Sequence, residues 1–329
     1  MIKTKEYRRR IALLFFILIS ILLITLINFI FFNYLSFIIN IKNSFIPSYD
    51  YEFQRIKEPV YIMPYLGDID GEVSNDWFFF YDKITDYYTD NKIPVTFSFY
   101  PGSMGDDEDF DKVFLKMYES ENIELMQKSY KGDDSEREMY KLPMEKQREI
   151  VSLGQEIFKQ KMRLILEKNK ENTDVQIPTS YNQITGRINN DTRTALESLG
   201  FNMYFDMFVE ELAPVESTET FDVIEYGVSF TDTGGAGKER DFKSPLKISI
   251  EINNFDREDV TVMNVNGRKV IPIWAHQQDF ESQEEENKLD KEKWNIYVFT
   301  INKLRKDPNV IFITPKELYR MRHPGIELK

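Results

Sequence analysis

The longest apolar stretch of the chain is residues 11–41, which contain no charged side chain. About 20 apolar residues are enough to cross a bilayer as a helix, so the stretch predicts a transmembrane anchor. A secretory signal has a shorter apolar core, about 7–15 residues, and a small-residue cleavage site, which is missing here. Residues 1–10 carry five basic side chains and one acidic. This charge bias predicts a single-pass protein of the cell membrane, with residues 1–10 in the cytoplasm and the main domain outside.

After a predicted stalk at residues 42–58, short apolar runs alternate with amphipathic stretches through the outer domain, residues 59–329. The runs that predict buried strands are 59–66, 93–100, 123–126, 175–178, 201–205 and 309–313. The stretches that predict helices are 75–88, 109–120, 142–169, 190–200 and a charged span at 281–293. Residues 221–266 indicate further strands, and an Asn266-Gly267 turn follows them. Repeated βα units favour an α/β fold with a parallel sheet, closed into a distorted (β/α) barrel.

The net charge of the chain disfavours some classes of binding partner. The whole chain has 42 basic and 55 acidic side chains, and without residues 1–10 the balance is 37 to 54, a net charge of −17. Such a negative domain is a poor partner for nucleic acid or for anionic lipid. The chain has no cysteine, so a domain outside the membrane must take its stability from a core and not from disulfides.

Histidine is scarce: the chain has only His276, which ends an apolar run, and His323, near the C-terminus. A catalytic zinc ion normally takes three protein ligands. Any metal site in this chain would therefore depend largely on carboxylates.

The carboxyl ends of the predicted strands carry the candidate chemistry, because active sites of such barrels gather there. Asp68 and Asp70 follow the first strand, and His276 and Asp279 follow a late one. Aromatic side chains near the same ends suit the faces of sugar rings, although core packing is the other interpretation of each. They are Tyr65, Tyr100, Tyr130, Tyr181 and Trp274.

The order of these segments resembles the polysaccharide deacetylase (NodB homology) family over residues 59 to about 280. Gly67-Asp-Ile-Asp-Gly71 is similar to the family's Asp-Asp-Gly turn, and residues 192–201 are similar to the helix and Gly-Phe that follow its third motif. The run 271–280 is similar to its closing strand with the catalytic histidine. The resemblance implies a distorted (β/α) barrel that removes N- or O-acetyl groups from sugars with a divalent metal such as zinc.

Carried over by position, the resemblance implies that His276 is the catalytic histidine and Asp70 a metal ligand. The position of the base holds Ile69, so Asp68 would have to act in its place. The arginine of the third motif corresponds to Gln176.

The two histidine ligands of the family correspond to Gln127 and Lys131. An ammonium group has no lone pair to offer a metal. We therefore expect Lys131 to pair with Asp70, and the ordinary zinc site to be absent.

Three functions follow from this pattern. The first is a membrane-anchored, deacetylase-like protein that binds or acts on cell-envelope glycan with weak or no deacetylase activity, using Tyr130, Tyr181, Trp274 and Asp279 as contacts. The second is an active carbohydrate deacetylase with a rebuilt site, which requires Asp68, Asp70 and His276 to converge within about one water molecule. The third is a structural surface protein, which predicts no cleft at the strand ends.

Overall fold

The computed structural model describes residues 51–326 apart from short gaps. The gaps are 71–74, 106, 131–135, 137, 170–173, 184–187, 207–214, 216, 226, 233–240, 256–261 and 283–287. The predicted tail, the predicted anchor and residues 42–50 of the predicted stalk lie outside the described residues. Among the residues that are described, no helix has both the length and the apolar character needed to span a bilayer.

Strands and helices alternate along the described chain. The strands are β1 (Val60–Ile69), β2 (Val95–Phe99), β3 (Ile123–Lys128), β4 (Ser180–Asn182), β5 (Met203–Asp206), β6 (Asp222–Glu225), β7 (Val228–Ser229), β8 (Asn264–Val265), β9 (Arg268–His276) and β10 (Val310–Phe312). The α-helices are α1 (Asn75–Asn91), α2 (Glu108–Glu119), α3 (Met144–Lys168), α4 (Asn190–Ser198), α5 (Pro245–Asn253), α6 (Lys291–Lys306) and α7 (Pro315–Arg322). Most of the predicted elements are confirmed to within a few residues.

These strands form one sheet in the order β6-β5-β4-β3-β2-β1-β9-β7, with β10 beside β1 and β8 beside β9. Every pairing is parallel except that of β8 with β9, a hairpin closed by Asn266 and Gly267 at φ 51° and 74°. Positive φ at both central residues is the geometry of a type I′ turn, which asparagine and glycine tolerate best. The predicted parallel (β/α) barrel is confirmed, as a curled and incompletely closed sheet covered by helices.

Alternation along the strands separates two cores. Residues such as Ile62 and Phe97 pack outward under the helices, whereas Tyr65, Met126 and Trp274 pack together inside the curled sheet. Successive side chains of a strand point to opposite faces. Lys128, two residues after Met126, and His276, two after Trp274, therefore belong to the inner face.

Three predicted elements are wrong. The run 175–178 forms no strand, and β4 comes slightly later. Within the charged span 281–293, the described residues 281–282 and 288–290 are not helical. Helix α6 begins only at Lys291, where the Asp290 side chain accepts the backbone N–H groups of Glu292 and Lys293. Residues 245–253 are a helix, although their apolar side chains alternate as in a strand, because Pro245 at the first turn and the Ser244 cap start it.

The compact unit that contains the barrel starts at Tyr51, ahead of the predicted boundary at residue 59. Ile56 is buried, and its N–H donates to Asp307 Oδ2 at 2.8 Å. The N–H of Lys57 donates to Asn253 Oδ1 at 2.8 Å. Side chains of the barrel thus fix the backbone of this entry segment.

Candidate functional site

The site is built on an irregular end of β1. Gly67 lies opposite His276 in the register of β1 with β9, and the register of β1 with β2 shifts between Leu66 and Ile69. Asp68, at this shift, has a left-handed backbone with φ 67°. That conformation costs an ordinary residue about 1 kcal/mol and is tolerated best by glycine, asparagine and aspartate. Such strain often marks a functional position.

The buried Tyr81 fixes this turn through its hydroxyl group. It donates to the carbonyl oxygen of Asp68 at 3.3 Å and accepts the N–H of Asp70 at 3.1 Å. The backbone on both sides of Ile69 is therefore held to helix α1, which aims the Asp68 side chain along the strand ends.

Three donors from three other strand ends converge on the Asp68 carboxylate. His276 Nδ1 lies 2.5 Å from Oδ2. The Tyr100 hydroxyl donates to Oδ1 at 2.9 Å, and the Lys128 ammonium donates to the same oxygen. The side chains of Lys128 and Asp68 are only 4% and 14% exposed, so this ion pair is largely shielded from solvent.

Charge pairing outweighs burial in this cluster. Burial alone would raise the pKa of Asp68, but Lys128 and His276 lower the pKa to well below its usual value. For Lys128, burial acts to lower the pKa, and the Asp68 charge raises it above the usual value instead. Burial raises the pKa of the Tyr100 hydroxyl. Asp68 and Lys128 are therefore both charged at neutral pH.

An ionised carboxylate can only accept hydrogen bonds, so the hydrogen between Asp68 and His276 belongs to Nδ1 of the imidazole. In the neutral ring, Nε2 then carries the lone pair. It can take a proton or accept a hydrogen bond from a hydroxyl group. The site combines a fixed carboxylate, a buried ammonium and one oriented imidazole.

His276 is held from its other sides as well. Its backbone N–H donates to Oδ2 of the buried Asp279 at 2.7 Å. The Trp274 ring meets the imidazole edge to face, with centroids 5.1 Å apart. Gly67 leaves room for the imidazole, because a Cβ there would lie 2.8 Å from Nδ1.

Further inside, polar side chains continue the cluster. The hydroxyl groups of Tyr65 and Ser98 are 2.7 Å apart, and Asn182 donates to the carbonyl oxygen of Phe205 at 2.8 Å. The inner face is thus polar near the carboxyl ends of β2 and β4 and apolar in the middle of the sheet.

The structure brings together the predicted site residues Asp68 and His276, and the predicted contacts Asp279 and Trp274 lie against His276. Gln127 lies on the outer face of β3, where Nε2 donates to the carbonyl oxygen of Val151 on α3 at 3.1 Å. Lys131 lies outside the described residues. The sequence analysis misses Lys128 and names Tyr100 only as a candidate for the face of a sugar ring. Strand alternation nevertheless places Lys128 and not Gln127 on the inner face.

The aromatic residues that were candidates for sugar contacts lie in different environments. Tyr181 is fully buried against Phe201 and Tyr204 on the outer side of the sheet, so core packing, the other interpretation of this residue, accounts for it. Trp274 lies in the inner core beside His276. Tyr130 is partly exposed, and its N–H donates to the Glu136 carboxylate at 2.9 and 3.1 Å.

Gln176 does not join the cluster. It lines a cleft of about 540 Å³ with Ile123 and Glu124, at the amino end of β3 and so at the opposite end of that strand from Lys128. Its N–H donates to the Tyr118 hydroxyl at 2.8 Å.

The donors of the site do not fit the zinc ion that the resemblance to the family implies. Within the described parts of the chain, no three His, Cys, Asp or Glu side chains are grouped so that they could hold a metal. A catalytic zinc site normally takes three. The Lys128 ammonium also lies on Asp68 Oδ1, where it would repel a divalent ion.

Comparison with known proteins agrees with this architecture. No protein-family model matches the sequence, and no curated protein matches it either. Among solved structures, a protein of Mycobacterium smegmatis described as a polysaccharide deacetylase is similar, with a TM-score of 0.50, 12% identity, 84% of this chain covered and 98% of the other. A protein of Parabacteroides distasonis described as a glycoside hydrolase/deacetylase has a TM-score of 0.50 and 12% identity, covering 84% of this chain and 74% of its own.

The chain therefore has the fold of the polysaccharide deacetylases, as the sequence resemblance implied. At 12% identity the likeness establishes the fold alone, and the chemistry must be argued from the site.

We predict that Gly67→Ala displaces His276 from Asp68, because the added Cβ would lie 2.8 Å from Nδ1. The expected cost is about 1–3 kcal/mol in the free energy of unfolding, typical of overpacking. Urea denaturation of Gly67→Ala, His276→Ala and the double variant measures it. The added methyl should cost much less when His276 is absent. An equal cost in both backgrounds contradicts the predicted contact.

The lowered pKa of Asp68 predicts a pH dependence of stability. Its charge stabilises the fold above the unfolded-state pKa, about 3.9 for aspartate, and this contribution is lost as the pH falls through the lower folded-state value. We expect Asp68→Asn to cost about 3 kcal/mol at neutral pH, because it leaves Lys128 buried without a carboxylate. The difference from wild type should shrink in acid.

Urea denaturation at a series of pH values checks this expectation. Asp90→Asn is the matched control, since Asp90 is exposed on α1. A stability difference between wild type and Asp68→Asn that stays constant into acid contradicts it.

Proposed function

We propose that the chain is a carbohydrate-binding protein with a polysaccharide-deacetylase fold, whose site does not perform ordinary zinc-dependent deacetylation. The observation that carries the proposal is the contact between Lys128 and Asp68, which sets an ammonium group beside His276, where it would repel a divalent ion. Ligands of such barrels bind at the carboxyl ends of the strands, and this cluster lies there. His276 Nε2 offers one oriented acceptor for a sugar hydroxyl.

A partner in the cell envelope follows from the sequence. The uncharged run 11–41 with its basic flank favours a membrane anchor that leaves the barrel outside the cytoplasm. The acidic balance of the chain, 55 acidic to 42 basic side chains, disfavours nucleic acid. A barrel anchored in this way would meet glycan of the cell envelope, which we propose as its ligand.

The anchor has a direct test. We predict that the full-length chain sediments with membranes and resists extraction by high salt and carbonate, whereas deletion of residues 1–41 releases it. The matched control replaces residues 11–41 with an unrelated transmembrane helix, which should restore sedimentation. Full-length protein in the soluble fraction would refute the anchor.

The function is tested with full-length protein in detergent and defined acetylated chito-oligosaccharides or peptidoglycan fragments. We predict binding that is insensitive to a chelator, no zinc-dependent release of acetate, and an affinity about tenfold weaker in His276→Ala, equivalent to one hydrogen bond of about 1.4 kcal/mol. Asp90→Asn is the control. Zinc-dependent release that disappears in both Asp68→Asn and His276→Ala would overturn the proposal.

A second candidate is metal-independent hydrolysis, and the 2.5 Å contact of Asp68 with His276 Nδ1 favours it. With Asp68 holding the ring, Nε2 can take a proton from an attacking water. General-base catalysis of this kind contributes about 10²–10⁴-fold in rate. Release of acetate in the presence of chelator, reduced at least a hundredfold in His276→Ala, would select this candidate. Absence of both binding and release would leave the structural surface protein.

A further inference from the structure

Lys128 is the part of the cluster that the fold alone does not explain. A buried ammonium group is costly unless it is paired, and an apolar residue would fit the inner face of β3, as Met126 does. The side chain is nevertheless 4% exposed and lies at the end of β3. From there it contacts a carboxylate on β1, across the intervening strand β2.

We propose that the Lys128 ammonium is a resident counter-ion that takes the place of a metal ion: it holds Asp68 toward His276 and keeps divalent cations out of the site. The proposal concerns how the site is assembled, so it does not depend on glycan binding.

The contacts around the ammonium group support this role. Lys128 and the Tyr100 hydroxyl share Oδ1 of Asp68, while His276 Nδ1 lies on Oδ2. The Tyr100 ring also lies 5.3 Å from Lys128 Nζ, within the range of a cation–π contact. The Asp68 carboxylate thus binds a cation with one oxygen and the imidazole with the other. A metal ion could occupy the position of that cation if the ammonium were absent.

Charge explains why the two cations exclude each other. Asp68 supplies one negative charge, which Lys128 neutralises. A divalent ion bound to Asp68 would lie within a few ångströms of the ammonium, where repulsion between unit charges is several kcal/mol at the effective dielectric of a protein. Among the described residues, no third His, Cys, Asp or Glu side chain joins Asp68 and His276 in a group that could hold a metal ion. Removing the ammonium relieves the repulsion and frees Oδ1, so the pair should acquire affinity for zinc.

The first experiment titrates zinc into full-length protein without an affinity tag, by calorimetry in detergent. Wild type should show no stoichiometric binding that depends on Asp68. Lys128→Ala should bind about one zinc per chain, at least tenfold more tightly than wild type, and Lys128→Ala/Asp68→Ala should lose this gain. Lys306→Ala, which removes an exposed lysine at the end of α6, should behave as wild type.

A second measurement observes the wild-type site directly. The chain contains two histidines, so ¹⁵N-labelled histidine gives few imidazole signals, and His276→Ala assigns them. We expect a downfield Nδ1–H resonance from His276 in wild type, unchanged by chelator or by zinc. Loss of this resonance in chelator, or Asp68-dependent zinc binding by wild type equal to that of Lys128→Ala, would overturn the proposal. A folded Lys128→Ala variant that gains no zinc affinity would do the same.

Discussion

The polar site depends on one carboxylate that three strands approach. Asp68 leaves β1 in a left-handed conformation, and side chains at the ends of β2, β3 and β9 donate to it. An uncompensated charge in such a place is expensive, so each of these donors matters to the fold as well as to any chemistry. The parallel sheet makes the convergence possible, because it brings strand ends from distant parts of the chain to one edge.

The same convergence decides what the site can do. A deacetylase that uses a metal gains a strong Lewis acid and an acidic water from that ion. The cluster around Asp68 offers instead a fixed charge and one oriented imidazole. It is suited to recognising hydroxyl groups and to moving a single proton. The resemblance in fold and the difference in donors are therefore compatible, since a barrel can retain its architecture while its strand ends change.

Much of the architecture could be predicted from the sequence, because buried parallel strands are short apolar runs and their order favours a βα barrel. The secondary structure is predicted wrongly where the local pattern of apolar residues is typical of another element. Alternating leucine and isoleucine in α5 are typical of a strand, and only Pro245 and the Ser244 cap indicate a helix. For the site, the sequence predicts Asp68 and His276 from their places at strand ends, but the family's spacing points to Gln127 and Lys131 and passes over Lys128. Strand alternation is the better guide here, because it places Lys128 and not Gln127 on the inner face of β3.

Gly67 links two positions that lie far apart along the chain. Its missing side chain leaves the space that the imidazole of His276 occupies. A larger residue at position 67 would crowd the imidazole at position 276, although 208 residues separate Asp68 from His276 along the chain. The residue at position 67 therefore limits which side chains can stand at position 276 beside Asp68.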